Sequence, residues 1–248
     1  MISAQKLTPL FFIVALTLFS GCSAIQRTFL FHPTHHHDDN GLTPWIMNGE
    51  IIGYSRPVAT PKNIWLMLHG NGGQAADRVY AIRSFSDQDA VFIMEYPGYG
   101  ARSGEPSKAT FDAATTEAYL FLRKTFPSTP ICIAGESIGS GPASVLATQS
   151  QPPDKIVLIV PFDTLKNVAS EHYPFLPVGA ILGASWDNIL SLSHYKGPIE
   201  IFGAERDTII PIKHAEQLSK KIPSAKFHPI ASGHNDWWRG HGVEIRNP

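Results

Sequence analysis

A chain of 248 residues with 43% hydrophobic and 17% charged residues can bury a full core and is too apolar to remain disordered. Its net charge of -1 supplies no basic face for nucleic acid, and one domain is the default at this length. With 20 Gly and 20 Pro the sequence is turn-rich, and its two cysteines, Cys22 and Cys132, stand in unrelated contexts.

At the N-terminus, Lys6 precedes the apolar run LTPLFFIVALTLF, which is short for a bilayer span and contains Pro9; Ser20-Gly21-Cys22 then supplies small residues at a cleavage point. This reads as a secretory signal over residues 1–21. The stretch LFSGC resembles the lipobox of bacterial lipoproteins. That resemblance implies that Cys22 becomes the acylated first residue of the mature chain, and more than one acyl chain is what stable membrane anchoring requires. The implied location is the bacterial cell envelope, with Ser23 favouring the outer membrane in a diderm source. The alternatives are an uncleaved anchor, or a plain signal with an incidental Cys22.

Residues 22–44 read as a tether. They include His35, His36, His37, Asp38 and Asp39, whose consecutive side chains diverge and make a poor preformed metal site. The domain proper is expected over residues 45–248. WIMNGEIIGYSR predicts a β-hairpin turning at Asn48-Gly49. NIWLMLHG, AVFIMEY, ICIA, KIVLIV, IEIFG and KFHPI predict strands, several of them apolar throughout as a strand buried on both faces requires. Phe111, Ala114, Ala118, Phe121 and Leu122 recur at helical spacing in a segment ended by Pro127, and a further helix is expected around residues 215–222. Strands alternating with helices give a mostly parallel sheet covered on both sides.

Reactive groups in such sheets collect at the carboxyl ends of the strands. After ICIA comes Gly135-Glu136-Ser137-Ile138-Gly139, with the G-x-S-x-G spacing that holds a nucleophilic serine on a strained strand-to-helix turn. A serine needs a base and a group to orient it. His234, in the loop after KFHPI, is the candidate base, and Asp207, after IEIFG, the candidate acid in preference to Asp163 and Glu205. For the transition-state oxyanion the candidate donors are the N–H of Ile138 and that of Asn71 in HGNGG, with Gly72 as the alternative to Asn71. His69 reads as a structural residue beneath that loop, and His172, His194, His214 and His228 as surface or packing histidines. Cys132 reads as a small buried apolar side chain.

LHGNGG, EYPGYGARSGEPS, GESIGS, VPFDTL with a following YPFLPV, GAERDTIIP and SGHND, in that order, resemble the α/β-hydrolase superfamily. They are closest to its membrane-associated branch of depalmitoylases and monoacylglycerol lipases and their bacterial relatives. The resemblance covers roughly residues 45–238. It implies the α/β-hydrolase fold with a small or minimal cap, the triad Ser137, Asp207 and His234, and hydrolysis of an ester, thioester or occasionally an amide, with no metal and no organic cofactor. Glu95 departs from the pattern, standing where many relatives carry Asp.

HYPFLPVGAILGASWDNIL, with Tyr173, Phe175, Leu176 and Trp186, reads either as an apolar cap forming a pocket for a small-molecule or lipid ester, or as a helix packed on the core. Trp237 and Trp238 suit either a membrane-facing rim or local packing. The expected activity is a carboxylesterase or lipase-like serine hydrolase. The alternatives are a serine peptidase or amidase of the same fold, and a non-catalytic envelope lipoprotein on that scaffold.

Overall fold

A computed structural model describes residues 30–36, 38–239 and 243–245. The signal segment, Cys22 and His37 lie outside the described residues. Two short strands, β1 (His32–Pro33) and β5 (Gly72–Gly73), pair parallel with each other. The remaining strands are β2 (Thr43–Met47), β3 (Glu50–Arg56), β4 (Ile64–Leu68), β6 (Ala90–Met94), β7 (Ile131–Glu136), β8 (Lys155–Ile159), β9 (Ile199–Ala204) and β10 (Ala225–Ile230). They form one sheet in the order β10-β9-β8-β7-β4-β6-β3-β2. Pairing is parallel from β10 through β6 and antiparallel at β6/β3 and β3/β2. The expected hairpin forms, with Asn48 and Gly49 at φ 53° and 83°, the left-handed region that this turn type demands.

The apolar runs have a direct structural cause. Ile64, Leu66 and Leu68 of β4 point into one hydrophobic cluster, while Trp65 and Met67 point into another on the opposite face. Ile131 and Ile133 alternate with Cys132 and Ala134 in the same way, as do Ile156 and Leu158 with Val157. Each such side chain withdrawn from water contributes on the order of 1.5–3 kcal/mol for the larger residues, and a strand sandwiched on both faces has no polar side to spare.

The first face is covered by α1 (Lys108–Thr125), α2 (Ser140–Val145) and α6 (Lys213–Lys221), through Phe111, Ala114, Ala118, Leu122, Ala143, Ala215 and Leu218. Ser107 starts α1 by accepting the Thr110 N–H at 3.1 Å, a cap worth about 1 kcal/mol. The second face carries the 3-10 helix Ala75–Ser84 together with Trp237, Val243 and Ile245. Between β8 and β9 the chain inserts α3 (Leu165–His172), α4 (Val178–Leu182) and α5 (Asn188–Leu192).

The expectation of a tether through residue 44 requires correction. Phe31 and Leu42 are only 5% and 7% exposed, and β1 is hydrogen-bonded into the body of the fold. Large apolar side chains at these two positions give the segment a reason to dock. His35 Nδ1 also lies 2.9 Å from the Gly100 carbonyl, so part of the histidine run is held against the fold.

Candidate active site

β7 runs directly into the 3-10 turn Ser137–Gly139 and then into α2. Ser137 has φ 54°, a left-handed conformation that costs a non-glycine residue on the order of 1–3 kcal/mol. The flanking glycines let the turn close. A Cβ on Gly139 would sit 2.2 Å from the Leu68 carbonyl oxygen, and one on Gly135 2.7 Å from Ala143 Cβ. Strand, elbow and helix are thus pressed together, and Ser137 is placed at the carboxyl edge of the sheet.

Three distant loops meet there. Ser137 Oγ lies 2.9 Å from His234 Nε2, and His234 Nδ1 lies 2.7 Å from Asp207 Oδ2. The other Asp207 oxygen accepts the N–H groups of Ile209 and Ile210, each at 2.8 Å. With one oxygen fixed by backbone, the carboxylate has a single direction in which to present the other. It accepts the Nδ1 proton, which leaves Nε2 as an acceptor for the serine hydroxyl.

The competing acids lie elsewhere. Asp163 is engaged by His214 Nδ1 at 2.8 Å, by Asn167 Nδ2 at 2.6 Å and by its neighbour's N–H at 2.7 Å, and Glu205 is exposed. His214 is bound on both sides by carboxylates, with Glu171 Oε2 3.0 Å from Nε2. Burial opposes its charge, but Asp163 and Glu171 outweigh burial and raise its pKa. Two carboxylate partners favour the imidazolium form of His214, whereas one carboxylate and one hydroxyl suit His234 to move a proton.

Ile138 is the second residue of the 3-10 turn, so its N–H falls in the first turn, where backbone donors have no intrahelical partner and the dipole favours negative charge. The loop of residues 69–73 follows the adjacent strand β4. The Asn71 side chain is committed outward: its Nδ2 donates to the Leu30 carbonyl, and its Oδ1 accepts from Tyr99 Oη at 2.9 Å. Any donor that Asn71 offers to the site is therefore its backbone N–H. Gly72 pairs instead in β5 with His32.

The residue beside the candidate nucleophile carries no role in the sequence motifs. Glu136, 6% exposed, faces Arg78 Nε at 3.1 Å and accepts from Gly70 N–H at 2.9 Å, Tyr80 Oη at 3.0 Å and Trp237 Nε1 at 2.9 Å. Burial works against its ionised form, yet Arg78 and these donors together hold its pKa below the ordinary carboxylate value. One carboxylate thereby joins the elbow, the 69–73 loop and the loop carrying His234. The signal available in the sequence was an acid closing an otherwise apolar strand run.

His69 is fully buried, with Nε2 3.2 Å from Glu95 Oε1, and Glu95 also accepts the Ala75 N–H at 3.1 Å. The departure at Glu95 thus fills a structural place beneath the loop. Cys132 is buried and free, its thiol pushed up to about 12, chiefly by burial.

The four residues read either as a pocket lining or as packed on the core divide between the two. Tyr173, Phe175 and Leu176 are 56%, 97% and 53% exposed, whereas Trp186 is 2% exposed, with its ring 6.0 Å from Phe111 and its Nε1 donating to Asp112 at 2.8 Å. Gly141 makes that burial possible, because a Cβ there would meet the indole at 2.4 Å. Trp186 is core. Trp237 is fully buried in the Glu136 network, and Trp238 stacks on Tyr80 with Arg83 4.4 Å and Arg239 5.0 Å from its ring, so both serve local packing. Among the described residues, no group of three His, Cys, Asp or Glu side chains is arranged to hold a metal ion.

No family model matches the chain. An uncharacterized protein of Mycobacterium tuberculosis is 30% identical over 176 residues, covering 69% of this chain and 62% of the relative. The lysophosphatidylserine lipase ABHD12 of Danio rerio is 28% identical over 193 residues, covering 68% of this chain and 48% of the lipase. The chain thus spans about half to two thirds of the length of the curated relatives it matches. Among solved structures, an alpha-beta hydrolase from Vibrio vulnificus superposes with a TM-score of 0.60 at 20% identity, covering 73% of this chain and 70% of that one.

Proposed function

We propose that this chain, built on the α/β-hydrolase fold, is a serine hydrolase that cleaves a carboxylic ester or thioester through an acyl-serine intermediate. The observation that carries the reading is the continuous line from Asp207 through His234 to Ser137, with its two contacts of 2.7 and 2.9 Å. His234 Nε2 takes the hydroxyl proton as Ser137 Oγ bonds to the carbonyl carbon. Negative charge develops on the carbonyl oxygen, and the N–H groups of Ile138 and Asn71 stabilise it; one such donor is worth about 10²–10³ in kcat. The bond to the leaving alcohol or thiol then breaks, and that group receives the proton from His234. Water repeats the sequence in reverse and frees the acid, while Asp207 stays ionised and keeps the imidazole in one tautomer.

A lipid or acylated substrate is part of this reading. ABHD12 is named a lysophosphatidylserine lipase, and the segment after β8 exposes Tyr173, Phe175 and Leu176. We assign Cys22 as the acylated residue of an envelope lipoprotein; it lies eight residues before Leu30, a separation that extended chain spans with at most roughly 28 Å. Among the described residues no helix is long and apolar enough to cross a membrane. An ester panel of graded acyl length, read against Ser137→Ala, tests the substrate class. Ser137-dependent turnover that rises with chain length supports it; cleavage of peptide amides without ester turnover would overturn it.

A further inference from the structure

The segment just before the hairpin is bonded to the loop that presents Asn71. The His32 N–H lies 3.3 Å from Asn71 Oδ1 and 3.2 Å from Tyr99 Oη, and the Asn71 amide donates back to the Leu30 carbonyl. Pairing continues through β1 and β5 to a Thr34 N–H to Gly73 carbonyl bond at 3.2 Å. The Gly100 N–H donates to the Thr34 carbonyl at 2.9 Å. Gln74 and His36 then exchange two bonds of 3.0 Å between side chain and backbone. Phe31 pins the start of the segment, its ring 5.0 Å from that of Phe111.

A loop rich in glycine has little conformational preference of its own. Residues 70–73 hold three glycines and Asn71, and their position relative to Ser137 has to be imposed by partners. Glu136 and Arg78 hold the inner side through Gly70 and Gly72, and the segment of residues 30–36 holds the outer side. Oxyanion stabilisation depends on where a donor sits, more steeply than substrate binding does.

We propose that residues 30–36 form a strap that positions the oxyanion loop, with the Asn71 side chain and the Tyr99 hydroxyl as its latch. His32, Asn71 and Tyr99 are positioning residues through these groups, acting on the reaction by fixing the backbone N–H of Asn71. This rests on the serine-hydrolase reading above.

Two substitutions in the full chain open the latch. His32→Pro removes the shared N–H at a position already in an extended strand, which proline accepts. Tyr99→Phe removes only the hydroxyl and keeps the ring against His69 and Phe111. With a short p-nitrophenyl ester, each variant is expected to lose about tenfold in kcat with KM within twofold of wild type, and the double variant to lose little more than the worse single. If His32→Pro does not fold, Tyr99→Phe alone decides. Unaltered kcat in the folded variants, or a loss confined to KM, would overturn the strap while leaving Ser137-dependent turnover of the wild type intact. Absence of that wild-type turnover would instead remove the parent reading, and the strap with it.

Discussion

Trp237 Nε1 donates to Glu136 Oε1 at 2.9 Å across 101 residues of sequence, so the loop that carries the candidate base and the strand that leads into the candidate nucleophile share one buried carboxylate. Replacing Glu136 with Gln leaves the Arg78 guanidinium buried beside a neutral group. Breaking a buried ion pair on one side costs about 3–5 kcal/mol, and Gln offers only one acceptor oxygen to donors that now use two. Glu136→Gln is expected to lower the thermal midpoint and to reduce kcat about tenfold or more through displacement of the 69–73 loop. Calorimetry together with steady-state kinetics checks both.

Asp207→Asn tests the choice of acid. The amide offers its oxygen to the backbone donors and an N–H₂ to His234, which drives the imidazole into the wrong tautomer; loss of an acid in this position lowers kcat by about 10⁴ in the serine-protease case. Asp163→Asn, whose carboxylate is engaged by His214, Asn167 and the Thr164 N–H instead, is expected to alter stability with far less effect on kcat. Equal losses of kcat in the two variants would contradict the assignment.

The Asp163, His214 and Glu171 cluster makes a pH prediction. The pKa of His214 is raised from its ordinary 6.5, so its contribution to stability is fully present below about pH 6.5 and is lost as pH climbs through the raised value. The pKa of Asp163 is lowered from 3.8: burial alone would raise it, but the bonds from His214, Asn167 and the Thr164 N–H prevail, so its contribution is present above 3.8 and is lost as pH falls through the lowered value. The melting-temperature difference between wild type and His214→Gln should therefore be largest between these limits and should narrow on the alkaline side. A melt series across pH reads it directly.

Cys132 is expected to resist alkylation in the native state. The thiolate is the reactive form, and a buried thiol pushed up to about 12 supplies almost none at neutral pH. Iodoacetamide should modify it only when denaturant opens the fold, as intact mass will show.

Strands such as Ile64–Leu68 and the Gly135 to Gly139 elbow were legible because their causes are local: a run of apolar residues between two packed faces, and glycines where neighbouring backbone passes within van der Waals contact. Ser137, Asp207 and His234 were legible because topology sends strand ends to one edge. The Glu136 network was not, because its partners Arg78 and Trp237 lie 58 and 101 residues away and carry no spacing signature. Residues 22–44 read as a tether because His35 to Asp39 looks solvated, whereas docking of the described part is decided by Phe31 and Leu42 finding apolar partners. Between pocket and core the reading of Trp186 stayed open, because periodicity does not reveal that Gly141 opens a slot for its ring.

The most direct test is covalent: treat the wild-type chain, Ser137→Ala and His234→Ala with a fluorophosphonate probe and map the adduct by mass spectrometry. A single adduct on Ser137 is expected in the wild type, none in Ser137→Ala, and labelling slowed by orders of magnitude in His234→Ala. An adduct on any other residue, or labelling that persists in Ser137→Ala, would contradict the serine-hydrolase reading.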